Sequence, residues 1–471
     1  MLSITFGSMI KYTSFGAARQ VTGSMHYFEC NGVNILMDCG LDYEKGEFGE
    51  PVSNKSFAFE PAKVDVLILS HAHIDHSGNI PNLVRQGFSG PIYCTPATGK
   101  LVTDLWKDSL NIQLSESKKN KRRKGKNAEV LYSFHDIYKA QEQLIYVNYR
   151  SPKKITDEIE FEYYQAGHIP GAGSIKLSVW EGNKCTCIGF TGDLGNYQAA
   201  LVQDPEPMEG IQYLLNESTY GARNHTREKS KQEALLQHIE EVCIQNKGKL
   251  VIPAFSIGRT QAILFTLHQL YRAGKLPTWL NIYSDSPLAI RSTGVYLEFT
   301  EILNQEAQKF AIDYEGLFRF PNLQVLTEPA QSDYISQNEE PSIIVSAAGM
   351  LEGGRIQKHI RNNIGFTNSR VLIAGYCSEG TLGHKLLIGL DYITINKRER
   401  QVKASIARID AFSAHADQEG LLNYMSQVNQ KGDLKKIFLV HGDENNMEVL
   451  KKAIPFSKVV IPAKEESFSL T

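Results

Sequence analysis

The 471-residue sequence has no apolar run of about 18 residues and no basic segment leading into an apolar core near its start. Neither a membrane-spanning helix nor a secretory signal is expected, and no membrane partner is implied. Cysteine is scarce and odd in number, seven in all, and no two form a C-x-x-C pair. A disulfide framework is therefore not expected, and reduced thiols in a cytoplasm fit best. Charge of one sign is lacking too. Fifty Lys and Arg against 52 Asp and Glu leave a net of −2, which argues against a surface that is basic throughout. Internal repeats and long Pro/Ser linkers are absent. The length implies two to four domains.

What is present has two textures. Over the first 217 residues, short apolar runs end in polar residues: VNILMD at Asp38, VDVLILS running into HAHIDHSG, CIGFTGD at Asp193 and IQYLLNE at Glu217. Short, β-branched or aromatic and bounded by Gly, they predict strands, and NIPNLVRQG predicts a short helix stopped by Gly87. From about 222 the pattern becomes alternating helix and strand, including a long helical zone over 288–312, which implies a mostly parallel sheet with helices on its faces. After about 400 the first texture returns in ASIARIDAFSAH and KKIFLVHGD. One domain interrupted by another fits: 1–221 and 406–471 as the two parts of the host, 222–405 as the insert.

Histidine carries the chemistry. Three of the 13 fall within six residues, in His71-Ala-His73-Ile-Asp75-His76. Imidazole and carboxylate suit Zn²⁺ and similar divalent ions. On a turn after a strand, His71 and His73 share one metal while Asp75 and His76 face a second.

This run resembles the HxHxDH signature of the metallo-β-lactamase superfamily. Ordered motifs follow it: NESTYG (216–221), PAFSIGRTQ (253–261), SDSPLA (284–289), AAGMLEGGR (347–355), GYCSEGTLG (375–383), FSAHAD (412–417) and LVHGDENNM (439–447). Together they resemble the β-CASP family, the nucleic-acid-processing branch, over roughly residues 9–460. The resemblance implies a metallo-β-lactamase αββα sandwich interrupted by a β-CASP α/β domain. It assigns His71, His73, His168 and Asp193 to one metal. Asp75, His76, the bridging Asp193 and His441 go to the other. Asp38 orients a ligand histidine rather than binding metal. Glu217, His415 and His441 match the family's motifs A, B and C. A histidine at motif C is a feature of the RNA-processing members.

The implied activity is a metal-dependent ribonuclease with two Zn²⁺ ions, Mn²⁺ being an alternative occupant. A bridging hydroxide attacks the phosphorus, and the products carry 5′-phosphate and 3′-hydroxyl ends. Asp75, Glu217 and His415 are the expected catalytic residues. A carboxylate beside a histidine raises the imidazole pKa, which suits His415 as general acid to the leaving oxygen. Arg259, Ser346, Gly353, Gly354 and Arg355, on Gly- or Ser-led turns, are expected to meet substrate phosphates. The expected partner is single-stranded RNA, a homodimer is admitted, and endonuclease and 5′-to-3′ exonuclease modes both stay open. The alternative is a small-molecule ester or lactone hydrolase on the same dimetal site, which leaves the insert unexplained. His26, His135, His225, His238, His268 and His359 read as structural. Residues 118–126 carry seven positive charges and read equally as a solvated loop or as a salt-sensitive grip on phosphate.

Overall fold

The computed structural model describes residues 10–44, 52–124, 130–225, 229–375, 377, 380–395 and 397–470. The chain forms two compact units. The first comprises 1–197, 204–224 and 415–471; the second comprises 198–203 and 225–414.

The first unit stacks two seven-stranded sheets. One runs in the order Ser467–Leu470, Ile10–Ser14, His26–Cys30, Val33–Met37, Val66–Ile68, Ile92–Cys94 and Leu144–Tyr146. The other runs Lys458–Val460, Lys436–Val440, Tyr213–Glu217, Lys184–Phe190, Gly173–Glu181, Ile159–Gln165 and Lys153–Lys154. Tyr12, Phe28, Ile68, Phe161, Ile175, Phe190 and Phe438 fill the layer between them. The helices Gln418–Gln430 and Glu444–Ala453 cover the second sheet with Leu421, Tyr424, Met425 and Leu450. The helix Phe134–Glu142 packs with Ile80–Arg85 and Pro96–Lys124 beside the first sheet. This is the αββα sandwich. Within each sheet a parallel group of strands runs one way, from Val33–Met37 to Leu144–Tyr146 in the first and from Lys184–Phe190 to Lys458–Val460 in the second. Carboxyl ends of parallel strands leave a crevice where side chains converge.

The second unit is built on six strands, all parallel: Leu323–Val325, Asn281–Asp285, Ser342–Ser346, Lys249–Pro253, Arg370–Ile373 and Ser405–Arg408. Buried on both faces, its central strands read as continuous apolar runs rather than alternating ones. The helix Arg259–Arg272 covers one face with Ile263 and Leu267, and the helix Ile356–Asn363 covers the other with Ile356 and Ile360.

Three segments differ from the sequence expectations. The zone 288–312 is two helices, Pro287–Glu298 and Gln305–Asp313, because Asn304 accepts from the Ala307 amide and starts a new helix. The expected boundary at 405/406 falls inside the strand Ser405–Arg408, which pairs with Arg370–Ile373, and the chain re-enters the first unit at His415. A strand ending toward a histidine looks alike in both units, so texture alone could not place that junction. The basic stretch is helical through Lys124, where positive charge favours the carboxyl end of a helix; Lys126 lies outside the described residues. No described helix is long and apolar enough to cross a membrane.

Candidate metal centre

The strand Val33–Met37 ends in Asp38, whose backbone turns into the left-handed region at φ 60°. Its buried carboxylate accepts from the Ser70 amide at 2.7 Å and the Ser70 hydroxyl at 2.8 Å, and lies 2.6 Å from His76 Nδ1. That contact turns Nε2 of His76 into the pocket, the usual way an outer carboxylate aims a ligand histidine. Ser70 also lies 3.1 Å from His71 Nδ1, aiming a second ring.

Two donor groups meet across Asp193. Nδ1 of His73 lies 3.2 Å from His71 Nε2 and 3.0 Å from His168 Nε2. Asp193 Oδ2 stands 3.4 Å from His71 and 3.6 Å from His168. On the other side, Nε2 of His76 and His441 are 3.1 Å apart, and Asp75 Oδ2 is 3.6 Å from His441. Asp193 Oδ1 reaches this second group, 3.1 Å from His76 and 3.4 Å from His441. One carboxylate thus gives one oxygen to each group.

The residues fit metal. Asp193 Oδ1 is buried and accepts no hydrogen bond, a costly state for a carboxylate oxygen unless a cation faces it. Imidazole nitrogens crowded together at 3.0–3.2 Å are a donor set in search of positive charge. Burial pushes His73 down to about 3 and, with neighbouring histidines, lowers His71 and His168, so these rings are neutral and their lone pairs free. Burial works to lower His76 as well, but Asp193 and Asp38 outweigh it and raise its pKa. Burial also works to raise Asp193, and His441, His76 and His71 outweigh that and hold it ionised.

Glycine lets the ligand loops approach. A Cβ on Gly195 would stand 1.7 Å from the Gly167 carbonyl oxygen, and one on Gly40 would stand 1.7 Å from that of Asp75. Any side chain there would part the loops of Asp193 and His168, or of Asp38 and Asp75.

Beside these donor groups lies a second pairing. Glu217, fully buried at the end of Tyr213–Glu217, accepts from the Leu194 and Thr219 amides. Its Oε1 is 3.2 Å from His415 Nδ1. Burial works to lower the His415 pKa, but Glu217 outweighs it and the net shift is upward. The His415 side chain is 19% exposed and that of Asp75 25%, and His73 is half-buried, while His71, His76, His168, Asp193 and His441 are nearly sealed; the first three mark the open side of the pocket.

The residues expected at substrate phosphates lie in the second unit. Arg355 donates to Asp285 Oδ1 at 2.7 Å and to the Leu326 and Thr327 carbonyls. Ser346 donates to the Asp285 carbonyl. Gly354, at φ 70°, fits closely under Ala347, whereas the Cα of Gly353 faces open space. Arg259 stands apart from this group, donating to the Phe412 carbonyl and lying over the Phe255 ring. Sequence reasoning missed Ser70 and also Thr219, whose hydroxyl is 3.0 Å from His441 Nδ1. A Ser directly before the first histidine and a Thr two residues after the glutamate carry no signal until the fold brings them to the rings.

Residues 21–223 match the metallo-beta-lactamase superfamily, 260–386 the Beta-Casp domain and 399–462 the Zn-dependent metallo-hydrolase RNA specificity domain. The chain is 30% identical to Ribonuclease TTHA0252 of Thermus thermophilus, over 94% of this chain and 96% of that one. It is 31% identical to an RNase J-like protein of Methanocaldococcus jannaschii, over 92% and 93%. It is 29% identical to the transcription termination factor FttA of the same organism, over 93% of this chain and 67% of that protein. A crystal structure of a protein of unknown function from Enterococcus faecalis shares the fold at 14% identity, with a TM-score of 0.57 and coverage of 98% and 100%.

Proposed function

The chain belongs to the β-CASP branch of the metallo-β-lactamase superfamily, and from that premise we propose that it is a metal-dependent ribonuclease that hydrolyses single-stranded RNA. The observation that carries the reading is Asp193, with one oxygen in each of two donor groups and the Glu217–His415 pair beside them. His71, His73, His168 and Asp193 hold one Zn²⁺. Asp75, His76, Asp193 and His441 hold the other. Bound there, the ions supply an activated water and positive charge for the phosphoryl oxygens. Glu217 keeps a proton on His415, and His415, on the open side, delivers it to the departing 3′-oxygen. The 5′-phosphate stays with the other fragment. Asp38, Ser70 and Thr219 aim the histidines. In the second unit, Arg259 and the turn of Ser346, Gly353 and Gly354 take backbone phosphates, and Arg355 holds that turn through Asp285. Seven free cysteines support a cytoplasmic setting.

The test is cleavage of end-labelled single-stranded RNA by the wild type, Asp75→Ala and His415→Ala. Cleavage by the wild type alone supports the reading, and fragment sizes separate internal cuts from 5′ trimming. Equal cleavage by all three, or turnover of a simple ester without any RNA cleavage, overturns it.

A further inference from the structure

The helix Pro96–Lys124 starts at the candidate metal centre. At its first turn the hydroxyls of Thr95 and Thr98 donate to the Gly171 carbonyl at 2.6 and 2.9 Å, on the loop that carries His168. Further along, Trp106 Nε1 donates to the Ser77 carbonyl at 2.9 Å, next to His76. At Gln113, whose side chain accepts from the Leu131 amide at 2.9 Å, the returning chain meets the helix. From there the helix runs on to Lys124. Its first half is thus tied to two ligand loops of the first unit, and its last part leads away from them.

That last part is basic on one face. Lys118, Lys121 and Arg122 lie three and four residues apart, so they share a face of the helix, and Lys107 falls on the same face about three turns earlier. All four are exposed, and among the described residues none of them has an ion pair. Glu116 is the one carboxylate between Ser109 and Arg122, and it falls on the opposite face. A helix that is merely solvated carries both signs interspersed, because like charges at this spacing repel. The dipole at the carboxyl end favours cations over the last turn only. It accounts for Lys121 and Arg122, and leaves Lys107 and Lys118 unexplained.

We propose that Lys107, Lys118, Lys121 and Arg122 form a track for the backbone phosphates of a single-stranded RNA whose cleavage site lies at the metal centre. The inference rests on the ribonuclease reading and adds to it the path of the strand outside the pocket. At about 1.5 Å per residue, Lys118 lies about 18 Å and Arg122 about 24 Å along the helix from Trp106. With phosphates about 3.4 Å apart along a stacked strand, that is about five to seven nucleotides. Lys107 is met first, beside the pocket. The face carries cations and no aromatic ring, so it grips phosphate and is indifferent to base sequence. A helix that lies on a membrane needs an exposed apolar face as well. Among the described residues of this helix, Ile112 is the one large apolar side chain that is exposed.

The experiment measures KM for RNA cleavage against salt and against strand length. The wild type is compared with a variant combining Lys107→Gln, Lys118→Gln, Lys121→Gln and Arg122→Gln, and with a charge-keeping variant combining Lys107→Arg, Lys118→Arg and Lys121→Arg. Glutamine forms helix about as well as lysine and arginine do, so the first variant removes charge and keeps the helix. Four phosphate contacts on a single strand give a log–log salt slope of about 3. The glutamine variant is expected to lose that much slope, so that going from about 50 to about 200 mM salt costs the wild type about fifty-fold more in KM. The arginine variant keeps the wild-type slope. The strand is also extended one nucleotide at a time on either side of the cleavage site. Wild-type KM is expected to fall as one arm passes about five to seven nucleotides, and the glutamine variant to show no such step. Equal salt slopes and equal length profiles overturn the track, while cleavage by the wild type leaves the ribonuclease reading standing. A glutamine variant that loses binding to phosphatidylserine vesicles and keeps its KM for RNA assigns the helix to a membrane surface and overturns the track as well. If the wild type cleaves no RNA, both fall.

Discussion

Asp193 in the first unit and Asp285 in the second are both buried, both follow a strand of a largely or wholly parallel group, and both face histidine. Their partners differ. Asp285 receives His359 Nε2 at 2.7 Å on one oxygen and Arg355 Nη1 at 2.7 Å on the other, so protons and a permanent positive charge meet it. Asp193 meets five histidines that also crowd one another, and one of its oxygens accepts nothing. In the first arrangement both carboxylate oxygens are met by protein donors. The second leaves a buried carboxylate oxygen unmet, and on the function proposed above a cation completes it. A carboxylate among crowded imidazoles suits a metal, whereas one met by a guanidinium and a single imidazole is already neutralised.

The comparison can be broken by exchanging carboxylates for amides. Asp193→Asn is expected to lose bound zinc, read by elemental analysis of purified protein, and to cut RNA cleavage about a thousand-fold or more, since several kcal/mol of charge stabilisation go with the metal. Asp285→Asn is expected to keep its zinc. If it loses metal as Asp193→Asn does, the distinction between the clusters is void.

The next effect is on stability. Asp285→Asn leaves Arg355 and His359 without their buried carboxylate and is expected to destabilise the second unit by about 3–5 kcal/mol. Hydrogen exchange of the strands Asn281–Asp285 and Ser342–Ser346 reads this locally. An unchanged exchange rate would mean that Arg355 has found another partner.

Smaller still is the outer layer of the metal site. Asp38→Asn removes the charge behind His76 and is expected to weaken metal affinity about 10- to 100-fold, measured by competition with a chelator. No change would mean that Ser70 and packing alone aim the ring.

The last prediction concerns acid. His359, Ser332 and Arg355 hold the Asp285 carboxyl below its ordinary value, outweighing burial. A depressed carboxyl contributes stability above its unfolded pKa and loses it as pH falls through the folded one. The stability gap between wild type and Asp285→Asn is therefore expected to be level from pH 7 to about 5 and to narrow below about 4. A gap that widens in acid would assign the opposite sign to Asp285.

Much of the candidate metal centre was legible because its proposed ligands are written locally: His71, His73, Asp75 and His76 lie on one turn, and Asp38, Asp193, Glu217 and His441 each end or follow an apolar strand. His359 was legible only as a residue without context. Its partner Asp285 lies 74 positions earlier, and nothing in SDSPLA or GGRIQKH says that the two meet. Arg355 likewise follows glycines as a phosphate-binding arginine would, and its guanidinium turns inward to Asp285 and two carbonyls.

The sequence alone determined the candidate ligand types, their order and the strands that carry them, because alternating and continuous apolar runs decide which residues are buried and where each strand stops. Tertiary structure decided which oxygen of Asp193 faces which group and that Asp38 stands behind His76. These depend on approaches between loops 28 to 365 residues apart, where a glycine Cβ would collide and a single hydrogen bond sets the ring. Sheet registry and packing fix such distances, and no local pattern contains them.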